Sequence, residues 1–145
     1  MSFAKIKGIA LAIVPLIIGG MLYLGYRCQE LLMFKWANFL GLSSIVSSWR
    51  KFCSQNPLPE WCYNALPDGL WLLSYILLIN LIWDDRTWKS RIWKYALPTI
   101  AITSELMQIL NPYFGTFDIM DLACYMGAVI LFKLKKITQW KEKKL

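Results

Sequence analysis

Residues 8–26 read GIALAIVPLIIGGMLYLGY, an apolar stretch with no charged side chain. As an α-helix it would be about 28 Å long at 1.5 Å per residue, close to the roughly 30 Å hydrocarbon core of a bilayer. Lys5 and Lys7 precede it, as basic residues precede the apolar region of a signal peptide, but no A-x-A-like cleavage site follows. Gly19 and Gly20 indicate close helix packing rather than a site. The stretch therefore predicts an uncleaved membrane anchor.

Three further apolar blocks follow, at residues 66–83, 92–110 and 119–134. The chain of 145 residues is 57% hydrophobic and only 17% charged, whereas soluble domains are about 25% charged. This composition excludes an ordinary water-soluble domain and a disordered tail. We therefore expect one all-α domain over residues 1–145, an integral membrane four-helix bundle with one span in each block.

The stretch between the first two blocks, residues 27–65, is the sizeable piece predicted to lie outside the spans. Apolar side chains recur in it at steps of three and four, a spacing typical of an amphipathic helix. These side chains are Leu32, Trp36, Phe39, Leu42, Val46 and Trp49. We expect an amphipathic helix on the outer surface of the membrane, with a re-entrant segment packed on the bundle as the alternative.

Basic residues predict the orientation. With both termini in the cytoplasm, twelve of the sixteen Lys and Arg residues fall on the cytoplasmic side, including Lys94 at the start of the third block, which is counted with the linker that precedes it. The four outside are Arg27, Lys35, Arg50 and Lys51. The positive-inside rule therefore favours this orientation, and we expect a multi-pass protein of the bacterial cytoplasmic (inner) membrane. The lysine-rich tail could also bind anionic lipids, and this placement of charge argues against nucleic-acid binding.

Several classes of chemistry are excluded or disfavoured by composition. The chain has no histidine, which excludes a His-based general base and a Ser-His-Asp triad. Its four cysteines form no C-x-x-C pair, and no glycine-rich phosphate loop occurs. We expect no cofactor. Cys53 and Cys62 both fall in the external segment, where a disulfide and two free thiols are equally expected.

Carboxylic side chains from three separate blocks are predicted to meet near the outer surface of the membrane. The third block carries its acid near its outer end, and the second and fourth blocks open with acids on the same side. A tyrosine four residues, or about one helical turn, after the second acid of the fourth block can face the same cleft. The predicted ligand-binding set is Asp68, Glu105, Gln108, Asp118, Asp121 and Tyr125. Ionisable groups inside a span are costly, so by default they suggest function.

Each of these acids also has a structural interpretation. Asp118 followed by Asp121 is typical of a helix N-cap with an acid in the first turn, and Asp68 is a favourable first-turn acid. Glu105 lies where the helix dipole disfavours it, but it could join helices through hydrogen bonds, as could Asn80 in the second block. No basic residue is predicted at this depth. The cluster is therefore expected to hold protons or to attract a metal ion of unknown identity or an amine.

Residues 105–121 read ELMQILNPYFGTFDIMD and resemble the signature of VanZ-like membrane proteins. In that family Glu-x-x-Gln on one helix is followed by a proline-containing turn and an Asp that opens the next helix. The family's turn arginine is absent, since residues 114–116 read FGT, and its asparagine four residues after the Asp is replaced by Tyr125. The matching residues are Glu105, Gln108, Pro112, Asp121 and Gly127. The resemblance implies a small polytopic cell-envelope protein, some relatives of which are linked to resistance to teicoplanin-type glycopeptides.

Three functions are consistent with this sequence. The first is a VanZ-like envelope protein whose outer acidic cleft binds a headgroup, a cation or an amine-bearing compound, with a protective role against envelope-targeting compounds. The second is a non-catalytic accessory subunit that binds a protein partner in a larger membrane complex. The third is a membrane enzyme acting on a lipid-linked substrate with carboxylates as acid, base or Mg²⁺ ligands. The absence of histidine and of nearby cations to hold phosphates disfavours the enzyme, and no catalytic residue is predicted.

Overall fold

The computed structural model describes residues 3–83, 87–111, 113 and 115–142, and these ranges contain helices and turns but no strand. In chain order the helices are α1 (Phe3–Tyr26), α2 (Leu32–Phe39), α3 (Ser43–Gln55), α4 (Glu60–Asn64), α5 (Leu66–Ile82), α6 (Trp88–Leu110) and α7 (Ile119–Glu142). The four long helices α1, α5, α6 and α7 occupy the four apolar blocks. The predicted all-α class is thus confirmed.

Helix α5 lies at the centre and packs closely against α1. The two helices are antiparallel, because Gly8 of α1 lies against Leu81 near the end of α5, and Gly19 lies against Trp71 near its start. A methyl group at Gly19 would lie 2.6 Å from Trp71 Nε1. The predicted close packing at Gly19 therefore agrees with the contact seen there, whereas Gly20 has one more distant neighbour, Met33 Cε at 3.8 Å from such a methyl group.

Helices α6 and α7 complete the bundle on the other side of α5. Gly69 of α5 meets Cys124 of α7, and Lys94 lies at both Asn80 of α5 and Phe132 of α7, so these two helices run parallel. Helix α6 runs antiparallel to α5, because Lys94 near its start bonds Asn80 near the end of α5, whereas Ala101 lines one cleft with Asp68. The buried core consists of Ala12, Leu72, Ile76, Leu77, Ala128 and Phe132. This alternation of direction brings the end of α6 and the starts of α5 and α7 to the same end of the bundle.

Two stretches are long and apolar enough to cross a membrane, Ile6–Tyr26 and Glu60–Ile82. The described parts of α6 and α7 fall short of that standard of length and composition. Lys94 and Glu105 interrupt the apolar run of α6, which is itself a continuous helix. Helix α7 carries an acid in its first turn and lysines from Lys133 onward. A bundle with four membrane spans therefore stays a prediction.

The external segment differs from the single amphipathic helix that its apolar spacing predicts. Gly41 adopts a φ of 71° and ends the helical path, so that α2 and α3 form two separate helices. Phe39, at the end of α2, is 90% exposed, whereas Phe34 and Ala37 are buried between the helices. The part of the predicted stripe from Leu32 to Leu42 therefore faces outward, whereas Val46 and Trp49 are half-buried.

Helix α3 packs on the end of α1. The indole Nε1 of Trp49 donates to the backbone oxygen of Met21 at 2.9 Å. The side chain of Cys53 lies against Gly25, where an added methyl group would come within 2.6 Å of its Sγ. All four cysteines are free thiols, so no disulfide joins Cys53 to the half-buried Cys62.

Lys94, which the predicted orientation counts with the cytoplasmic linker, is buried instead. Helix α6 begins at Trp88, four residues before the predicted block, and Lys94 lies inside this helix and is only 1% exposed. Its Nζ donates to Oδ1 of Asn80 at 2.7 Å and lies 5.5 Å from the ring centroid of Phe132. The prediction that Asn80 bonds a neighbouring helix is thus confirmed. Pro112, Arg86, Phe114 and the side chains of residues 136–145 lie outside the described residues.

Candidate functional site

Glu105 is the most deeply buried acid of the predicted set, with 4% of its side chain exposed. Its Oε1 accepts a hydrogen bond from the backbone N–H of Asp118 at 2.8 Å, and its Oε2 accepts one from Nε2 of Gln108 at 3.2 Å. Both bonds satisfy a carboxylate that would otherwise be costly to bury. Glu105 therefore joins α6 to the start of α7 and acts as a structural residue of the turn.

Gln108 supports the same turn. Its amide packs against Gly115, where an added methyl group would lie 3.3 Å from the amide carbon. Gly115 has a φ of 123°, a conformation that side-chain-bearing residues rarely adopt. The Glu-x-x-Gln spacing thus places one side chain on the N–H that precedes α7 and the other against the turn glycine.

Asp118 is the N-cap of α7. Its Oδ1 accepts a hydrogen bond from the backbone N–H of Met120 at 2.8 Å, and its backbone oxygen accepts one from Leu122. A capping side chain satisfies one of the N–H groups that have no partner at a helix start. The geometry of Asp118 is therefore that of a helix cap, as its structural interpretation predicts.

Asp121 follows in the first turn of α7 and is half-buried. Its Oδ1 is enclosed and has no hydrogen-bond partner within the described part of the chain. Asp68, in the first turn of α5, is close enough to Asp121 and Glu105 for their charges to interact. The topology argument thus brings acids from three helices to one end of the bundle, as expected from their positions.

Arg27 supplies a cation that sequence reasoning did not place at this depth. Its charge acts on both Asp68 and Asp121, so the acidic cluster has a positive neighbour. Its Nη2 donates to the backbone oxygen of Asn64 at 2.9 Å, and its guanidinium carbon lies 5.7 Å from the ring centroid of Tyr23. The sequence feature that could have predicted this is the position of Arg27 directly after the first apolar block, from which a long side chain can extend along the bundle.

A cleft with a volume of about 190 Å³ opens beside Asp68. Tyr125 lines it from α7, Trp71 lines it from α5, and the remaining walls are apolar. These walls are formed by Leu72, Leu97 and Ala101. The cleft thus combines one carboxylate, one phenol and an indole with aliphatic surface, which suits a cation that carries a short apolar group.

The arrangement is less suited to a metal ion. Among the described residues, no three side chains of the types that commonly bind metals are close enough to hold one ion. Glu105 already accepts two hydrogen bonds, and Asp118 is engaged as a cap. Asp68 is therefore the acid of the cluster that lines the open cleft.

Comparison of this chain with protein-family models, curated proteins and solved structures finds no match. The resemblance to VanZ-like proteins therefore rests on the residues of the α6–α7 segment alone.

Proposed function

We propose that this chain is a small VanZ-like, multi-pass protein of the bacterial cytoplasmic membrane, whose cleft near the outer surface binds an amine-bearing amphiphile. In this proposal four spans correspond to α1, α5, α6 and α7, and both termini are cytoplasmic. The bound compound carries a protonated amine next to a short aliphatic or aromatic group. Binding protects the cell envelope against compounds of this chemistry.

The surface of α1 supports placement in a membrane. Large aliphatic side chains point outward along most of its length, including those of Leu11, Val14, Ile17 and Ile18. A continuous apolar surface of this kind is unfavourable in water and is typical of contact with lipid. The charge distribution along the chain supports the orientation with cytoplasmic termini.

The position of Asp68 is the observation that carries the choice of ligand. Asp68 is the acidic residue that lines a cleft whose other walls are aromatic and aliphatic. A protonated amine can pair with the carboxylate, stack on the indole of Trp71 and leave its carbon chain against Leu72 and Leu97. A bare metal ion would gain nothing from the apolar walls, so an organic cation is the better fit.

A growth experiment tests the protective role. The chain is expressed in a teicoplanin-sensitive bacterium beside Asp68→Asn and Glu60→Gln, and the minimum inhibitory concentration of teicoplanin is measured at matched membrane abundance. Glu60 is exposed on α4 and provides the same chemical change away from the cleft. We expect the native chain and Glu60→Gln to raise the inhibitory concentration and Asp68→Asn to lose that increase.

Full protection by Asp68→Asn would contradict the role of the cleft. If that variant also co-purified with a stoichiometric membrane partner, the accessory-subunit hypothesis would be favoured instead. If none of the chains, the native one included, raised the inhibitory concentration, protection against this compound class would be rejected.

A thiol-labelling experiment tests the orientation. Cys28, after α1, is exposed, and Lys89, near the start of α6, is exposed as well. In a Cys62→Ser background, which removes the half-buried external thiol, we expect a membrane-impermeant maleimide to label Cys28 in intact cells and to label a Lys89→Cys, Cys28→Ser variant only after permeabilisation. The reverse pattern would contradict the proposed topology.

A further inference from the structure

A second pocket, distinct from the Asp68 cleft, lies between α2 and α3. It has a volume of about 250 Å³. Polar side chains contribute much of its lining, namely those of Gln29, Asn38, Ser43, Ser47 and Arg50. Among the described residues that line it, Arg50 is the charged one. The pocket therefore carries a positive group, in contrast to the acidic cleft.

Arg50 is held in a fixed position at this pocket. Its Nη1 donates to the backbone oxygens of Leu24 at 3.0 Å and Arg27 at 2.8 Å, which are carbonyls at the C-terminal end of α1. Its guanidinium carbon lies 5.2 Å from the ring centroid of Phe34. No acceptor in the described part of the chain bonds its Nε or Nη2. One edge of the guanidinium is thus anchored, and the other is left for an anion.

The neighbouring polar groups favour an acceptor with several oxygens. The hydroxyl of Ser43 donates to Oδ1 of Asn38, which orients that amide and leaves its Nδ2–H groups as donors. Gln29 brings a second amide to the same pocket. A planar guanidinium with two amide donors matches the oxygens of a phosphate group, for which arginine is the preferred partner.

The anchoring of α3 fixes the depth of this pocket. Trp49 and Arg50 bond backbone oxygens between Met21 and Arg27, at the end of the apolar stretch Ile6–Tyr26. If α1 spans the membrane, as in the proposed function, the pocket lies level with the lipid phosphates. Phe39, at the turn beside the pocket, exposes nearly its whole ring and suits the same interfacial region.

We propose that the pocket between α2 and α3 binds the phosphate group of a phospholipid through Arg50, Asn38 and Gln29. Its only dependence on the proposed function is the membrane placement that makes a lipid, rather than a soluble phosphate ester, the source of the phosphate. The bound lipid would hold the α2–α3 hairpin against the membrane surface beside the acidic cleft.

The test uses the full chain purified in a non-ionic detergent. Native mass spectrometry counts the phosphatidylglycerol molecules retained, and a neutral, phosphate-free diacylglycerol glycolipid serves as the lipid control. Inorganic phosphate and glycerol 3-phosphate, added separately, report binding of soluble phosphate through the shift in the unfolding temperature.

Gln29→Glu is the decisive variant, because it places a carboxylate in the pocket without removing the bonds of Arg50 that anchor α3. Gln55→Glu makes the same change at an exposed position near the end of α3. We expect Gln29→Glu to weaken phosphatidylglycerol retention about tenfold or more, because like charges oppose each other there, and Gln55→Glu to leave it unchanged. Folding of both variants is checked by circular dichroism.

Each outcome decides the proposal. Retention of phosphatidylglycerol over the glycolipid, lost in Gln29→Glu, supports it. Equal retention by both variants, or of both lipids, overturns it. A Gln29-dependent response to inorganic phosphate without lipid retention would overturn the lipid source and assign a soluble phosphate. Asp68→Asn is expected to retain the lipid normally, which separates this proposal from the amine-binding cleft.

Discussion

The carboxylate of Glu105 accepts the backbone N–H of Asp118 at 2.8 Å, across the turn that joins α6 to α7. Asp118 in turn accepts the N–H of Met120 and so begins α7. A buried acid and a helix cap therefore form one continuous hydrogen-bonded unit. This unit sets the position of Asp121 and Tyr125 on α7 and leaves Asp68 as the acid of the cluster that lines the cleft.

Replacement of Glu105 tests this unit. Glu105→Leu leaves the N–H of Asp118 without its acceptor, so we expect the free energy of unfolding to fall by about 1–3 kcal/mol. Glu105→Gln keeps an amide oxygen in place of Oε1, so its loss is expected to be smaller. Thermal unfolding in detergent measures both changes. Equal stability of the Leu variant and the native chain would contradict the role of Glu105 in the turn.

Asp118 offers a second test of the same turn. Asp118→Ala removes the acceptor for the N–H of Met120, so we expect a loss of about 1 kcal/mol in the free energy of unfolding. Asp118→Asn retains a capping oxygen and is expected to unfold within a few tenths of a kcal/mol of the native chain. Denaturant titration compares the two variants, and an equal loss for Asn and Ala would show that the charge, rather than the capping oxygen, matters here.

Gly69 is expected to tolerate no side chain. A methyl group there would lie 2.8 Å from Cys124 Cβ and 2.9 Å from the backbone oxygen of Cys124, and the backbone cannot yield cheaply. We expect Gly69→Ala to lower the free energy of unfolding by about 1–3 kcal/mol. Gly127→Ala is the control, because a methyl group at Gly127 would have no atom within 4 Å. If both variants unfolded at the same temperature, the close approach of α5 and α7 would be wrong.

Asn80 and Lys94 form a buried polar contact at the other end of the bundle. Asn80→Leu removes an acceptor from a buried ammonium group, so we expect a loss of about 1.5–3 kcal/mol in the free energy of unfolding. Lys94→Met, Asn80→Leu together should lose less than the sum of the two single changes, because the double variant leaves no buried ammonium behind. Strict additivity in thermal unfolding would argue against a direct interaction between the two side chains.

The apolar blocks predicted the long helices well because each block had to be long enough to bury its backbone and had charged or turn residues at its ends. Helix α6 begins four residues before the predicted block. The segment from Trp88 to Arg91 contains two basic side chains and a serine, so its composition resembles that of a linker rather than a span. Lys94 lies inside both the predicted block and α6, so its burial comes from packing rather than from the position of the helix start. Its stem and ammonium group find partners on α5 and α7 that no local pattern reveals.

The candidate site was predicted in part. Chain direction alone indicated that Asp68, Glu105 and Asp121 would lie at one end of the bundle, because alternate spans reverse. It could not indicate which acid would accept hydrogen bonds within the turn between α6 and α7, since that depends on the path of the chain between these helices. Nor could it place Arg27, which directly follows α1 and whose charge acts on acids of α5 and α7.

A binding titration tests the central claim most directly. Hexylamine, protonated at neutral pH, is titrated by calorimetry into the purified native chain, Asp68→Asn and Glu60→Gln, with hexanol as the uncharged control. We predict saturable binding of hexylamine by the native chain and Glu60→Gln, binding weaker by about tenfold or more in Asp68→Asn, and none of hexanol. Equal affinity of Asp68→Asn for hexylamine, or saturable binding of hexanol, would contradict a cleft that recognises amines through Asp68.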